Sequence, residues 1–254
     1  MFENFKVPLH FIDFETSMVA IPFNKDRRPY EQIAFQFSHH QMEKDGSYKH
    51  VGEWISTTPG QFPNFDFVRA LKKELEQNEG TIFRYSNHEN TVLNQIRIQL
   101  ENSNELDRDE LIKWMETITH KNEKVGGWCG ERDMVDLCEI VKSFYYHPET
   151  KGSNSIKYVL PAVLKMQGRD PDPYGSLPPI FEGYDGDKLD LLMVDENSAD
   201  EEGLANGGAA MMAYALMQFT EMKEEEREKI REALLRYCKL DTEAMVWIYQ
   251  YLKG

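Results

Sequence analysis

The chain has 254 residues, 41% of them hydrophobic and 12% aromatic, enough apolar material for a packed core. No apolar run approaches the ~18 residues of a membrane span, and the N-terminus carries no signal-peptide pattern. The net charge of −15 argues against general affinity for polyanions, yet residues 168–205 hold 11 acids against two bases, so −9 sits there and −6 on the rest. Global charge therefore excludes no partner. The three cysteines, Cys129, Cys138 and Cys238, form no CxxC pair, which argues against a disulfide framework or zinc knuckle and for a reducing, cytoplasmic setting.

Residues 9–16 read as the first strand, with Phe11, Asp13 and Glu15 on one side and Ile12 and Phe14 on the other. A long loop with Pro22, Arg27, Arg28 and Pro29 follows. Ile33, Phe35 and Phe37 alternate with Ala34, Gln36 and Ser38, the pattern of a half-buried second strand, and residues 50–56 read as a third after the turn at Asp45-Gly46. Residues 65–77 form an amphipathic helix ended near Gly80, 81–85 a short strand, and 87–100 a helix by the spacing of Val92, Leu93, Ile96 and Leu100. The charged stretch 101–124 is helical in part, carrying Leu111, Trp114, Met115 and Ile118. After a Gly-rich turn at 125–132, residues 134–137 read as a short strand feeding a helix through Phe144.

Residues 155–166 form a helix with Asn154 or Ser153 as its cap and Pro161 as a kink or boundary. The acidic stretch 168–205 is too long for an ordinary connector and reads as an insertion or lid. A Met- and Ala-rich helix covers 208–219, and the last helix spans 228–252. No internal repeat or linker divides the chain, which reads as a single α/β domain, 1–254, with a mixed sheet.

The carboxylates are out of place in this pattern. In the last helix Ile230, Leu234, Tyr237, Asp241, Met245, Ile248 and Leu252 share one stripe, so Asp241 projects from a face that should be dry. A buried carboxylate without a partner costs ~3–5 kcal/mol, which leaves either a core Arg beneath Asp241 or a cation. Asp13 and Glu15 stand about 7 Å apart by strand rise and repel by roughly 2 kcal/mol at an effective dielectric of 20. A divalent ion reverses that sign, and hard oxygen ligands suit Mg²⁺ or Mn²⁺. The alternative is a solvated edge strand, which the apolar neighbours Phe11, Ile12 and Phe14 disfavour. Glu89 has two readings. It completes a capping box with Ser86, and it stands at a strand-to-helix turn, where α/β sheets place their sites.

Asp13-Phe14-Glu15-Thr16 resembles the first motif of the DnaQ-like 3′–5′ exonucleases. Tyr237-x-x-x-Asp241 resembles the third motif of their DEDDy branch, and Asn87-His88-Glu89 sits where the second motif falls, with Glu in place of the usual Asp. The other branch has His five residues before the last Asp, where this chain has Arg236. A closer resemblance, to an uncharacterised bacterial and archaeal domain family within that superfamily, runs through IDFET, RPYEQIAFQFS, GSNSIKYVLPA and YCKLDTEAMV. It implies an RNase H-like fold, a mixed five-stranded sheet with helices on both faces. It also implies that Asp13, Glu15, Glu89 and Asp241 hold two divalent cations, Mg²⁺ or Mn²⁺, and that Tyr237 orients the attacking water. The expected substrates are single-stranded DNA or RNA ends. Because such domains usually end longer chains, this one is expected to be part of a multidomain protein.

Phe14, Thr16, Asn87 and Lys157 are the candidate substrate contacts, Phe14 and Tyr30 as platforms for a terminal base. Lys25, Arg27, Arg28, Lys151 and Lys165 are further phosphate-binding candidates, each with ordinary surface charge as the alternative. Asp133 and Asp136 are spare acids able to stand in for Glu89. Two rival functions remain: an inactive RNase H-like module that binds nucleic acid or protein, and a phosphohydrolase of short oligonucleotides. With no phosphate loop, dinucleotide fingerprint or Ser/Cys nucleophile motif, kinase and dehydrogenase chemistry drop out.

Overall fold

The run LHFIDFETS becomes the central strand, β1 (Leu9–Ser17), because its alternate side chains find an apolar layer on each side. In a computed structural model, which describes residues 2–121, 126–177 and 207–254, β1 pairs antiparallel with β2 (Ile33–Met42) and parallel with β4 (Ile82–Arg84). β3 (Tyr48–Ile55) extends one edge antiparallel to β2, and β5 (Val135–Asp136) the other parallel to β4. The resulting order, β3-β2-β1-β4-β5, is an RNase H-like mixed sheet.

Helices cover both faces. Ile12, Phe14, Ala34 and Phe37 pack against α1 (Asn64–Leu75), α2 (His88–Glu101) and α3 (Arg108–Ile118). Leu9, Phe11 and Phe83, on the opposite face, pack against α4 (Leu137–Phe144), α5 (Ile156–Met166) and α7 (Glu224–Lys253). Between α5 and α7 in the chain, α6 (Gly207–Phe219) covers Ile33 and Phe35, with the Tyr214 ring stacked on Phe35 at 4.2 Å. No helix among the described residues is long and apolar enough to cross a membrane.

β2 departs from the half-buried strand its alternation predicts. Gln36, Ser38, His39 and His40 are all buried. Each of these side chains has at least one hydrogen-bond partner, which offsets much of the cost of its burial, although Gln36 Oε1 and His39 Nδ1 have none among the described residues. Gln36 Nε2 donates to the Leu234 carbonyl of α7 at 2.9 Å, while Thr242 Oγ1 of α7 meets Ser38 Oγ at 2.9 Å and His40 Nδ1 at 2.7 Å. On the other face His39 Nε2 meets His10 Nδ1 at 2.8 Å.

Three helix boundaries also differ. Ser155, not Asn154 or Ser153, is the N-cap of α5, and Ser153 Oγ accepts the Ser155 N–H at 3.2 Å. Pro161 neither ends nor breaks this helix, which runs on to Met166. It forfeits one amide bond in the helix interior, and the core contacts of Val159, Leu160, Val163 and Leu164 offset that loss. α7 begins four residues earlier than its stripe suggests, because Glu226 accepts the Lys223 N–H at 3.1 Å and three glutamates occupy the first turn. The predicted insertion is described only to residue 177; residues 178–205 lie outside the described residues.

Candidate metal centre

The site forms where β1 passes beneath α7. The strand's period of two turns Asp13 and Glu15 to the α7 face, the face that Phe11 also lines. The helical stripe brings Asp241 down onto them, and one ligand oxygen from each of the three lies within 4.8 Å of the others. They sit half-buried in a cleft of about 390 Å³ that Lys157, Tyr174 and Tyr237 also line.

Like charges held in partial burial resist ionisation. Burial, then Asp241, Glu89 and Glu15, push the Asp13 carboxyl well above the usual carboxylate range. Glu15 is pushed up to about 8 by burial and by Asp241, with Lys157 opposing. Asp241 rises less, to about 6: burial raises it, while the Tyr174 hydroxyl and Lys157 hold it down. The Arg-paired alternative for Asp241 has no support among the described residues. Its hydrogen-bond partner is instead Tyr174 Oη, which donates to Oδ1 at 2.5 Å.

Glu89 lies behind the triad. It is 1% exposed, close enough to raise both Asp13 and Glu15, and outside the group that converges within 4.8 Å. Burial lifts its own carboxyl to about 8, with its backbone amide and Arg84 opposing. The capping box does not form. Ser86 has φ +77°, outside the helix, its N–H donates to Asp136 Oδ1 at 3.0 Å, and Asn87 is the N-cap. Glu89 Oε2 is left buried without a hydrogen-bond partner, a state that desolvation makes unfavourable until something positive or protic meets it. Four clustered carboxylates, one with an orphan oxygen, are a donor set that fits a hard divalent cation.

The other predicted contacts divide. Tyr237, one turn before Asp241, is half-buried at the cleft, its phenol raised by burial, Asp172 and Asp241. Thr16 and Lys157 also line it, and Thr16 Oγ1 meets His88 Nε2 at 3.3 Å. The Phe14 ring does not offer a stacking face. Phe14 borders the cleft, but its ring is 4% exposed and packs edge-on to Phe67 at 4.9 Å, in the apolar layer on the other face of the sheet. Asn87 turns to Thr91 Oγ1 at 3.3 Å and does not line the cleft.

The remaining candidates lie elsewhere. Lys25, Arg27, Arg28 and Tyr30 line a separate cleft along α2, where Arg27 pairs with Glu31 at 3.2 Å and stacks over Phe62. Lys165 pairs with Glu149 at 2.7 Å, and exposed Lys151 ends a short turn in the left-handed region. Neither spare acid substitutes for Glu89: Asp136 pairs with Arg84 at 2.8 Å and caps α4, while Asp133 meets His120 at 2.9 Å.

Four residues to which the sequence reading gave no role lie at the site. Tyr174 donates to Asp241, His88 meets Thr16, and Tyr85 lines the wall with its hydroxyl on the Asn154 carbonyl at 2.8 Å. Cys238 lies buried beneath Asp13, with Sγ 3.7 Å from Oδ2. His88 and Cys238 adjoin Glu89 and Tyr237 in the chain, so proximity to a motif was a signal for both; Tyr174 had none.

Residues 10–155, from β1 to the N-cap of α5, match the family described as a domain of unknown function, DUF2779. The chain belongs to that family. The match contains Asp13, Glu15 and Glu89 and stops short of Lys157, Tyr174, Tyr237 and Asp241. No curated protein and no solved structure matches the chain.

Proposed function

We propose that this DUF2779 chain is a metal-dependent 3′–5′ exonuclease, hydrolysing phosphodiester bonds at single-stranded DNA or RNA ends. The carrying observation is the carboxylate triad, Asp13, Glu15 and Asp241, with oxygens within 4.8 Å in an open cleft and Glu89 behind it. Asp13, Glu15, Glu89 and Asp241 would hold two Mg²⁺ or Mn²⁺ ions, Glu89 through the oxygen that now has no partner. When bound, such ions supply a nucleophilic water at neutral pH and neutralise the charge on the departing 3′ oxygen.

The chain's own residues have separate tasks. All four carboxylates must shed protons before they can ligate, so loading is favoured as pH rises past Asp241 at about 6 towards Glu15 and Glu89 at about 8. Tyr237 positions the attacking water with its hydroxyl, and Lys157 answers the phosphate charge at the cleft wall. A cleft of about 390 Å³ is near the small end of ligand sites, suiting a terminal nucleotide better than an internal run of strand.

That volume, with the net charge of −15, also favours a second reading, a phosphohydrolase confined to short oligonucleotides. Digestion of 5′-labelled single strands of graded length, in Mg²⁺, Mn²⁺ and EDTA, separates the two. A metal-dependent ladder on long strands is the expected result. Turnover only of the shortest strands supports the second reading, and tight binding without turnover would falsify both.

A further inference from the structure

Asp241 is held from two directions. Along its own helix it follows Tyr237 by one turn, and from outside it receives Tyr174 Oη at 2.5 Å. Tyr174 opens the short turn Tyr174–Ser176, and its ring packs against the apolar layer formed with α5 and α7. The turn itself is braced. Asp172 Oδ1 accepts the Gly175 N–H at 2.9 Å, Ser176 Oγ donates to the Pro173 carbonyl at 2.8 Å, and the Leu177 N–H returns to the Tyr174 carbonyl at 2.9 Å. A Cβ at Gly175 would lie 2.2 Å from Asp172 Oδ2, so a larger residue there must displace the Asp172 carboxylate that braces the turn.

A carboxylate with one oxygen tied to a braced donor loses rotational freedom, and its second oxygen is left for an ion. Tyr237 cannot do this independently, because it is carried on the same helix as Asp241. We propose that Tyr174 is a positioning residue: its hydroxyl fixes the Asp241 carboxylate against Asp13 and Glu15 and thereby sets the affinity of the centre for divalent cations. Two tyrosines of the cleft then have different duties, Tyr174 on the ligand and Tyr237 on the water. This rests on the metal-centre reading above. It also makes metal loading sensitive to the docking of the segment just after α5.

The test is Mn²⁺ titration of the full chain by calorimetry, for wild type, Tyr174→Phe and Tyr237→Phe, with circular dichroism to confirm folding. Phenylalanine retains the ring packing, so Tyr174→Phe is expected to fold. It should weaken Mn²⁺ binding by ~10-fold or more, the usual effect of removing an outer hydrogen bond from a ligand, with turnover restored at saturating Mn²⁺. Tyr237→Phe should bind Mn²⁺ as the wild type does. Unchanged Mn²⁺ affinity in Tyr174→Phe overturns the proposal, as does a turnover defect that saturating metal leaves in place. A wild type that binds Mn²⁺ without hydrolysing any strand removes the exonuclease reading alone and leaves this comparison intact. A wild type that binds no Mn²⁺ overturns both.

Discussion

At the scale of single residues, Asp241 has opposite effects in the metal-free and metal-loaded protein. Without metal its charge is held against Asp13 and Glu15 and raises both. Asp241→Asn preserves the shape, keeps an oxygen to accept from Tyr174, and relieves that repulsion. It should stabilise the metal-free fold by about 1 kcal/mol. In excess Mn²⁺ the order should reverse, since the wild type gains binding free energy that the variant forfeits. Paired melting curves in EDTA and Mn²⁺ test this; a variant less stable in EDTA shows that Asp241 serves the fold and not a cation. Asp13, Glu15 and Asp241 were legible in the sequence because acids at apolar periodicity contradict their setting. Tyr174 was not: it lies in a Pro/Gly/Asp-rich stretch with no period, and only the tertiary fold brings it to Asp241. For Glu89, local pattern pointed both ways. The tertiary bond from the Ser86 amide to Asp136 decided against the capping box.

At the scale of elements, the docking of α7 on β2 depends on a buried polar seam beside the carboxylates. Thr242, next to Asp241, is fully buried, and its hydroxyl meets Ser38 Oγ at 2.9 Å and His40 Nδ1 at 2.7 Å. Thr242→Val keeps the volume, leaves His40 Nδ1 without its partner and Ser38 Oγ with His50 Nε2 at 3.1 Å, and should destabilise the protein by ~1–3 kcal/mol in chemical denaturation, while Thr242→Ser should recover most of the loss. An unchanged midpoint for Thr242→Val means that water or rotation satisfies His40. This seam explains which elements the sequence disclosed. β1 and α7 carry clean periods of two and 3.6 and were placed within a few residues. β2 reads as half-buried because Gln36, Ser38 and His40 mimic a wet face, and the partners that make it dry lie some 200 residues further along the chain.

At the scale of the whole molecule, two sets of buried groups oppose each other as pH changes. His10, His40 and His50 are held neutral by burial, at about 4, 3 and 4. Their folded values lie below the unfolded one, so their contribution is complete above pH ~6.5 and is lost as pH falls below it. The carboxylates run the other way. Asp13, Glu15 near 8, Glu89 near 8 and Asp241 near 6 all titrate above their unfolded values. Their contribution is complete below pH ~4 and is lost as pH rises through 6 to 8, where the folded state must ionise a crowded cluster. Below pH 6.5 the two sets partly cancel; above it only the carboxylates act. The metal-free protein should therefore lose stability as pH rises from about 6.5 towards 8, its Tm falling by ~2–4 °C for each kcal/mol lost. Mn²⁺ takes the deprotonated cluster, so its stabilisation should grow over the same interval. Melting curves in EDTA and in Mn²⁺ at pH 6, 7 and 8 should thus diverge with rising pH. A gap of constant width would mean that any bound ion displaces no protons, and that it sits somewhere other than Asp13, Glu15 and Glu89.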